Sequence, residues 1–146
     1  MRREPSPAVR PVPLPGPVWR ADNPGSVLAQ ERASFRYAFE GLRYSWTTQR
    51  HLRIHISLAL LAVSLGLLLT ISPVEWAALL AVIALVIALE LLNTVIEVVV
   101  DMITREYNPQ AKVAKDVAAA AVLIAAIGAA TVGAVIFIPR ILAFFV

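Results

Sequence analysis

Glu90 to Asp101 reads Glu-Leu-Leu-Asn-Thr-Val-Ile-Glu-Val-Val-Val-Asp, at the end of a long apolar run. Wound as a helix at about 100° per residue, it puts Glu90 at 0°, Asn93 near −60°, Thr94 near +40°, Glu97 near −20° and Asp101 near +20°. The polar groups therefore share one edge, and Leu91, Leu92, Val95, Ile96, Val98, Val99 and Val100 cover the rest. Such a row rises about 16 Å along the axis. At a bilayer centre each carboxylate would cost about 2.5 to 3.5 kcal/mol on the insertion scale. Serine or threonine would glue helices at lower cost, so a one-sided row of acids graded in depth points to chemistry more than to adhesion.

The chemistry it fits joins an apolar reactant to a charged aqueous one. Glu90 lies inside the apolar stretch, where a carboxylate can take the proton of an attacking hydroxyl. Glu97 and Asp101 fall toward the water boundary, followed by Lys112, Lys115 and Asp116. Acids that hold Mg²⁺ and a lysine that offsets phosphate charge are the parts of phosphoryl transfer, which is mostly positioning and charge compensation. The chain carries no G-x-x-x-x-G-K-[ST] loop, so a kinase here builds its phosphate site another way. His51 and His55, four apart, lack a third ligand nearby and read as interface residues. The residues alone leave a lipid kinase, a small ion or proton channel subunit and a non-catalytic membrane assembly protein all open.

The elements that must position this row are membrane helices. Of 146 residues 59% are hydrophobic, with a mean hydropathy of +0.74, more than one soluble domain of this size can bury. The fold class is all-α: an amphipathic helix lying in the interface, then three transmembrane helices over about 54–71, 76–104 and 116–138. Cysteine is absent, which excludes a disulfide framework and thiolate chemistry. Residues 1–30 form a Pro-rich tail, holding seven of the ten prolines, and are expected to be disordered. Residues 31–146 form the membrane-embedded domain. Phe35, Ala38, Phe39, Leu42 and Trp46 make an aromatic stripe, with Arg36, Glu40 and Arg43 on another side and Ser34 as the expected cap. Ser72-Pro73-Val74-Glu75 breaks the first span from the second, Asn108-Pro109 signals the next turn, and Pro139-Arg140 ends the third span. Small residues repeat every four positions at Ala121, Ala125, Ala129 and Gly133, allowing close helix approach.

Charge orients the bundle. Nine arginines precede residue 54, and Arg105, Lys112 and Lys115 follow the second span, whereas the loop between the first two spans carries only Glu75. The positive-inside rule puts the N-terminus and the Lys112–Asp116 end in the cytoplasm, so the protein is expected in the cytoplasmic membrane. This topology also accounts for the pI near 9.8 without nucleic acid as a partner.

Glu90-Leu-Leu-Asn93-Thr-Val-Ile-Glu97-Val-Val-Val-Asp101, with the later Lys112-Val-Ala-Lys115-Asp116, resembles the signature of the small prokaryotic diacylglycerol kinase and undecaprenol kinase family. The likeness runs from about Phe35 to Ile138. It implies a homotrimer with composite sites, Mg-ATP as phosphoryl donor and a membrane lipid hydroxyl as acceptor. It implies Glu90 as general base, Glu97 as a magnesium ligand, Asn93 and Asp101 as polar members of the site, and Lys115 and Asp116 as nucleotide contacts. One departure stands out. A second metal ligand, usually glutamate in the junction after the amphipathic helix, is here Gln49, which keeps a carbonyl oxygen and loses the charge. The Leu-Leu-Asn-Thr and Arg-Ile-His wording resembles the undecaprenol-type members.

Overall fold

The computed structural model describes residues 27–143; the Pro-rich stretch up to residue 26 lies outside them. The described chain is four helices: α1 Val27–Thr48, α2 Arg50–Leu68, α3 Pro73–Ile103 and α4 Pro109–Leu142. The last three are long and apolar enough to cross a membrane. Among the described residues, 27–38 and those from 39 onward belong to separate compact units. In the first, the Arg36 guanidinium lies 5.2 Å from the centre of the Tyr37 ring. All that follows concerns the second, apart from the start of α1.

Helix ends differ from the sequence expectation, each for a local reason. α1 begins at Val27 and not at Ser34, whose hydroxyl donates to the Gln30 carbonyl one turn back (3.1 Å) instead of capping. The polar junction expected over Thr47 to His55 shrinks to one extended residue, Gln49 (φ −98, ψ 113). Thr47 and Thr48 donate to the carbonyls of Arg43 and Tyr44, and Arg53 Nη1 donates to the Trp46 carbonyl at 2.9 Å. A cation on the carbonyls that end a helix both satisfies them and complements the dipole.

The turn between α2 and α3 closes on Thr70, a non-glycine residue with φ 49. The Ile71 N–H returns to the Gly66 carbonyl (3.3 Å), the long bond of a Schellman ending, and Ile71 packs back on Gly66. Ser72 then starts α3 rather than only breaking α2. Its hydroxyl accepts from the Glu75 N–H while its own N–H donates to Glu75 Oε2 at 2.7 Å, a capping box with Pro73 in the first turn. At α4, Asn108 Oδ1 accepts from the N–H groups of Gln110 and Ala111, so the helix starts at Pro109, ahead of the expected 116. α4 also runs through Pro139, expected to end it, as far as Leu142.

α3 packs along α4 more extensively than along α2. The pair is antiparallel, because ion pairs join them at opposite ends. Arg140 grips Glu75 with both arms of its guanidinium (2.8 and 2.7 Å), and Lys115 Nζ lies 2.5 Å from Asp101 Oδ1. Ile71, Leu79, Ile136 and Phe137 form the buried core at the Arg140 end, with Trp76 against it.

Gly66 is what lets Trp76 sit there: a Cβ at this position would stand 2.9 Å from the indole Cη2. Gly66→Ala is therefore expected to destabilise the bundle by about 1–3 kcal/mol through overpacking. Thr70→Gly, which relieves a left-handed β-branched residue, is expected to stabilise it by about 1 kcal/mol. Thermal unfolding of the two variants in one detergent should move the midpoint in opposite directions.

Candidate active site along the third helix

The polar edge of α3 faces into the bundle. Glu90 is 3% exposed and Thr94 4%, whereas Leu92 and Val95 on the opposite side are more than half exposed. Thr94 spends its hydroxyl on the Glu90 backbone carbonyl one turn back (3.0 Å), which leaves the Glu90 carboxyl group as the chemical function at this depth.

One turn toward the α3 C-terminus the row becomes a hydrogen-bonded trio. Asn93 Nδ2 donates to Glu97 Oε1 at 3.0 Å, and Gln49 Nε2, from the α1–α2 junction, donates to Glu97 Oε2 at 3.1 Å. Both oxygens of one carboxylate thus accept amide hydrogens. Asn93 Oδ1 is buried and has no hydrogen-bond partner, an acceptor held in reserve next to an acid. Gln49 caps α2 through its backbone alone, its side chain being committed to Glu97.

At the α3 end the row opens. A cleft of about 310 Å³ is lined by Asp101, Arg105, Tyr107, Lys112, Lys115 and Asp116. Here Lys115 pairs with Asp101 across the two helices, and Lys112 pairs with Asp116 one turn along α4. These charges are at least one-third exposed, so the pairs are cheap to exchange for an incoming anion. At the other side of Glu90 runs an apolar groove of about 320 Å³ between α2, α3 and α4. Val86 and Ile87 line it one turn before Glu90, His55 lines it on α2, and Ala126, Ala129 and Gly133 floor it on α4. The small residues of α4 thus leave room as well as permitting contact.

All seven residues singled out from the sequence therefore lie along one line, but in three groups. Glu90 stands by itself at the apolar depth, Gln49, Asn93 and Glu97 are joined directly, and Asp101, Lys115 and Asp116 surround the open cleft. His51 is exposed and His55 faces the groove, and among the described residues no cluster of three or more His, Cys, Asp or Glu forms. The resemblance already places Gln49 and Glu97 in one site; missed from sequence were the direct hydrogen bond between them and the Arg105 and Tyr107 walls of the cleft. The first links residues 48 apart and leaves no periodic signal; the second sits in a turn whose polar residues read as solvated loop.

Comparison with known proteins gives consistent relatives. Residues 36–137 match the family described as prokaryotic diacylglycerol kinase. The chain is 43% identical over 114 residues to a diacylglycerol kinase of Synechocystis, covering 77% of this chain and 65% of that relative. It is 38% identical over 108 residues to an undecaprenol kinase of Bacillus subtilis, covering 74% of this chain and 88% of that one. A diacylglycerol kinase of Escherichia coli is 38% identical over 91 residues, 62% of this chain and 75% of the relative.

The trio around Glu97 makes a stability difference that can be measured. Glu97→Ala strands the amides of Asn93 and Gln49 and is expected to cost about 1–3 kcal/mol, whereas Glu97→Gln, which keeps one acceptor, should cost less. Denaturation midpoints of the two variants in detergent check the order.

Proposed function

The chain belongs to the prokaryotic diacylglycerol kinase family, and on that premise we propose that it transfers the γ-phosphoryl group of ATP to the hydroxyl of a membrane lipid, undecaprenol or diacylglycerol. The observation that carries this reading is the order of parts along α3: apolar groove, buried Glu90, then a polar cleft with Lys115 and Lys112. The acceptor's hydrocarbon chain lies in the groove, a place for acyl and polyprenyl chains alike, and its hydroxyl reaches Glu90. Glu90 takes the hydroxyl proton as the oxygen attacks the γ-phosphorus and ADP leaves. Lys115, released from Asp101, meets the phosphate oxygens, and Asp116 holds Lys112 beside them. Exclusion of water around Glu90 favours the lipid hydroxyl over hydrolysis.

The donor set suits a hard cation that arrives with phosphate. Glu97 offers a carboxylate, Asn93 an unpaired buried carbonyl oxygen and Gln49 a second amide oxygen, all hard ligands, while nucleotide oxygens complete the shell. Glu97, Asn93 and Gln49 would hold Mg²⁺, which supplies charge neutralisation on the transferring phosphoryl group. Exposure and charge support a finer arrangement. Leu67, Leu68, Ile124 and Val135 present broad apolar faces that fit lipid and two further copies in a homotrimer. α1, with its aromatic and arginine faces, lies in the interface. The basic N-terminal region and the Lys112–Asp116 end face the cytoplasm of the cell's inner membrane, where ATP is available.

Purified protein with Mg-ATP is expected to phosphorylate at least one of the two lipids in mixed micelles, and absence of phospholipid product with both overturns the reading. Glu90→Gln should lower kcat by at least about 10²-fold while leaving the unfolding midpoint nearly unchanged. Lys115→Ala should weaken the dependence on ATP more than that on lipid; the two KM values separate these effects.

A further inference from the structure

Glu97 is wrapped in a way that bears on how a cation reaches it. Its two carboxylate oxygens face amide hydrogens, from Asn93 at 3.0 Å and from Gln49 at 3.1 Å. A cation approaching them meets two N–H groups of positive polarity where it needs lone pairs. The trio carries a single formal charge, since both partners are neutral amides. The Gln49 backbone is pinned by the helices on either side: its N–H donates to the Ser45 carbonyl (2.8 Å), and Arg53 holds the Trp46 carbonyl (2.9 Å). The side chain, and not the junction, must therefore move. Turning the Gln49 amide over would set its oxygen against a carboxylate oxygen, a repulsive contact unless a cation lies between them. Asn93 is poised in the same sense, for its buried Oδ1 has no partner in the present arrangement.

We propose that Gln49 and Asn93 act as an amide latch that keeps free divalent cations off Glu97, so that the cation enters this site only as its nucleotide complex. The inference rests on the phosphoryl-transfer reading for the nucleotide, but the latch is a property of these three side chains. Magnesium sheds water reluctantly, and a single carboxylate with one lone pair of each oxygen already engaged by an amide hydrogen competes poorly for the ion. Phosphate oxygens brought with the cation supply the missing negative ligands, and the amides turn their oxygens inward. Gln49 is thus a positioning residue that makes metal binding conditional on nucleotide.

Mn²⁺, which takes oxygen ligands in octahedral geometry as magnesium does, is the probe. Its binding to the full chain in nanodiscs is read from loss of the free-ion paramagnetic resonance signal, without turnover. Without nucleotide, the unaltered protein should bind Mn²⁺ no better than Glu97→Gln. With a non-hydrolysable ATP analogue its affinity should rise at least tenfold over Glu97→Gln. Gln49→Glu, which adds a charge and removes a latch hydrogen, should bind Mn²⁺ without nucleotide at least tenfold more tightly than the unaltered chain. Tight Mn²⁺ binding by the unaltered protein without nucleotide, lost in Glu97→Gln, overturns the proposal. So does a folded Gln49→Glu with no gain; if that variant fails to fold, the Glu97→Gln comparison decides. A protein that shows this metal pattern yet phosphorylates neither lipid keeps the latch and loses the kinase reading.

Discussion

The antiparallel packing of α3 along α4, with an ion pair near each end, is the constraint from which the rest of the arrangement follows. Glu75 and Asp101, the α3 members of the two ties, are separated by about 39 Å of helix at 1.5 Å per residue. That exceeds the roughly 30 Å of a bilayer's hydrocarbon, so both ties can sit among headgroups. Glu90, about 16 Å inward from Asp101, cannot. The same pairing that lets the helix ends be charged commits this one acid to the apolar layer. The extensive packing of α3 along α4, with Leu79, Val86, Glu90 and Thr94 buried, holds the rotation of α3, and the partly buried Glu75–Arg140 pair anchors one end.

With α3 so oriented, the small residues of α4 acquire a second use. Ala126, Ala129 and Gly133 allow the helices to approach, yet at the level of Val82 to Ile87 they leave an apolar groove that His55 borders from α2. Larger side chains there would fill the groove and gain burial. The groove's end lies one helical turn from a buried carboxyl group. On the proposed reading, apolar and aqueous reactants would meet at this one side chain without either leaving its own phase.

Much of this was legible in the chain because it is periodic. The polar edge of α3, the three apolar spans and the small-residue rows of α4 repeat at helical spacing, and the coordinates keep each of them. Helix ends were less legible. Ser72-Pro73 and Asn108-Pro109 look like breaks, but Pro lacks only a donor that the first turn does not need, so both are helix starts. Pro139, which reads as a stop, lies near the end of α4, where Arg140 Nη1 donates to the Ile136 carbonyl at 2.8 Å within the same turn. Contacts distant in sequence left no periodic signal: nothing in spacing says that Glu75 and Arg140 touch, and only the family resemblance puts Gln49 near Glu97.

The Gln49 contact also explains how an acid at this depth is tolerated before any substrate arrives. Two amide hydrogens on one carboxylate are charge-assisted hydrogen bonds, each worth about 1.5–3 kcal/mol, and they offset much of the loss of hydration. A carboxylate at position 49 would instead face Glu97 at hydrogen-bonding range, and like charges so close raise each other's cost unless a cation or proton lies between them. A neutral amide satisfies Glu97 through a hydrogen bond and adds no second charge. Since Gln49 is also the one residue between α1 and α2, the helix junction and the Glu97 carboxylate are governed by the same side chain and its anchored backbone.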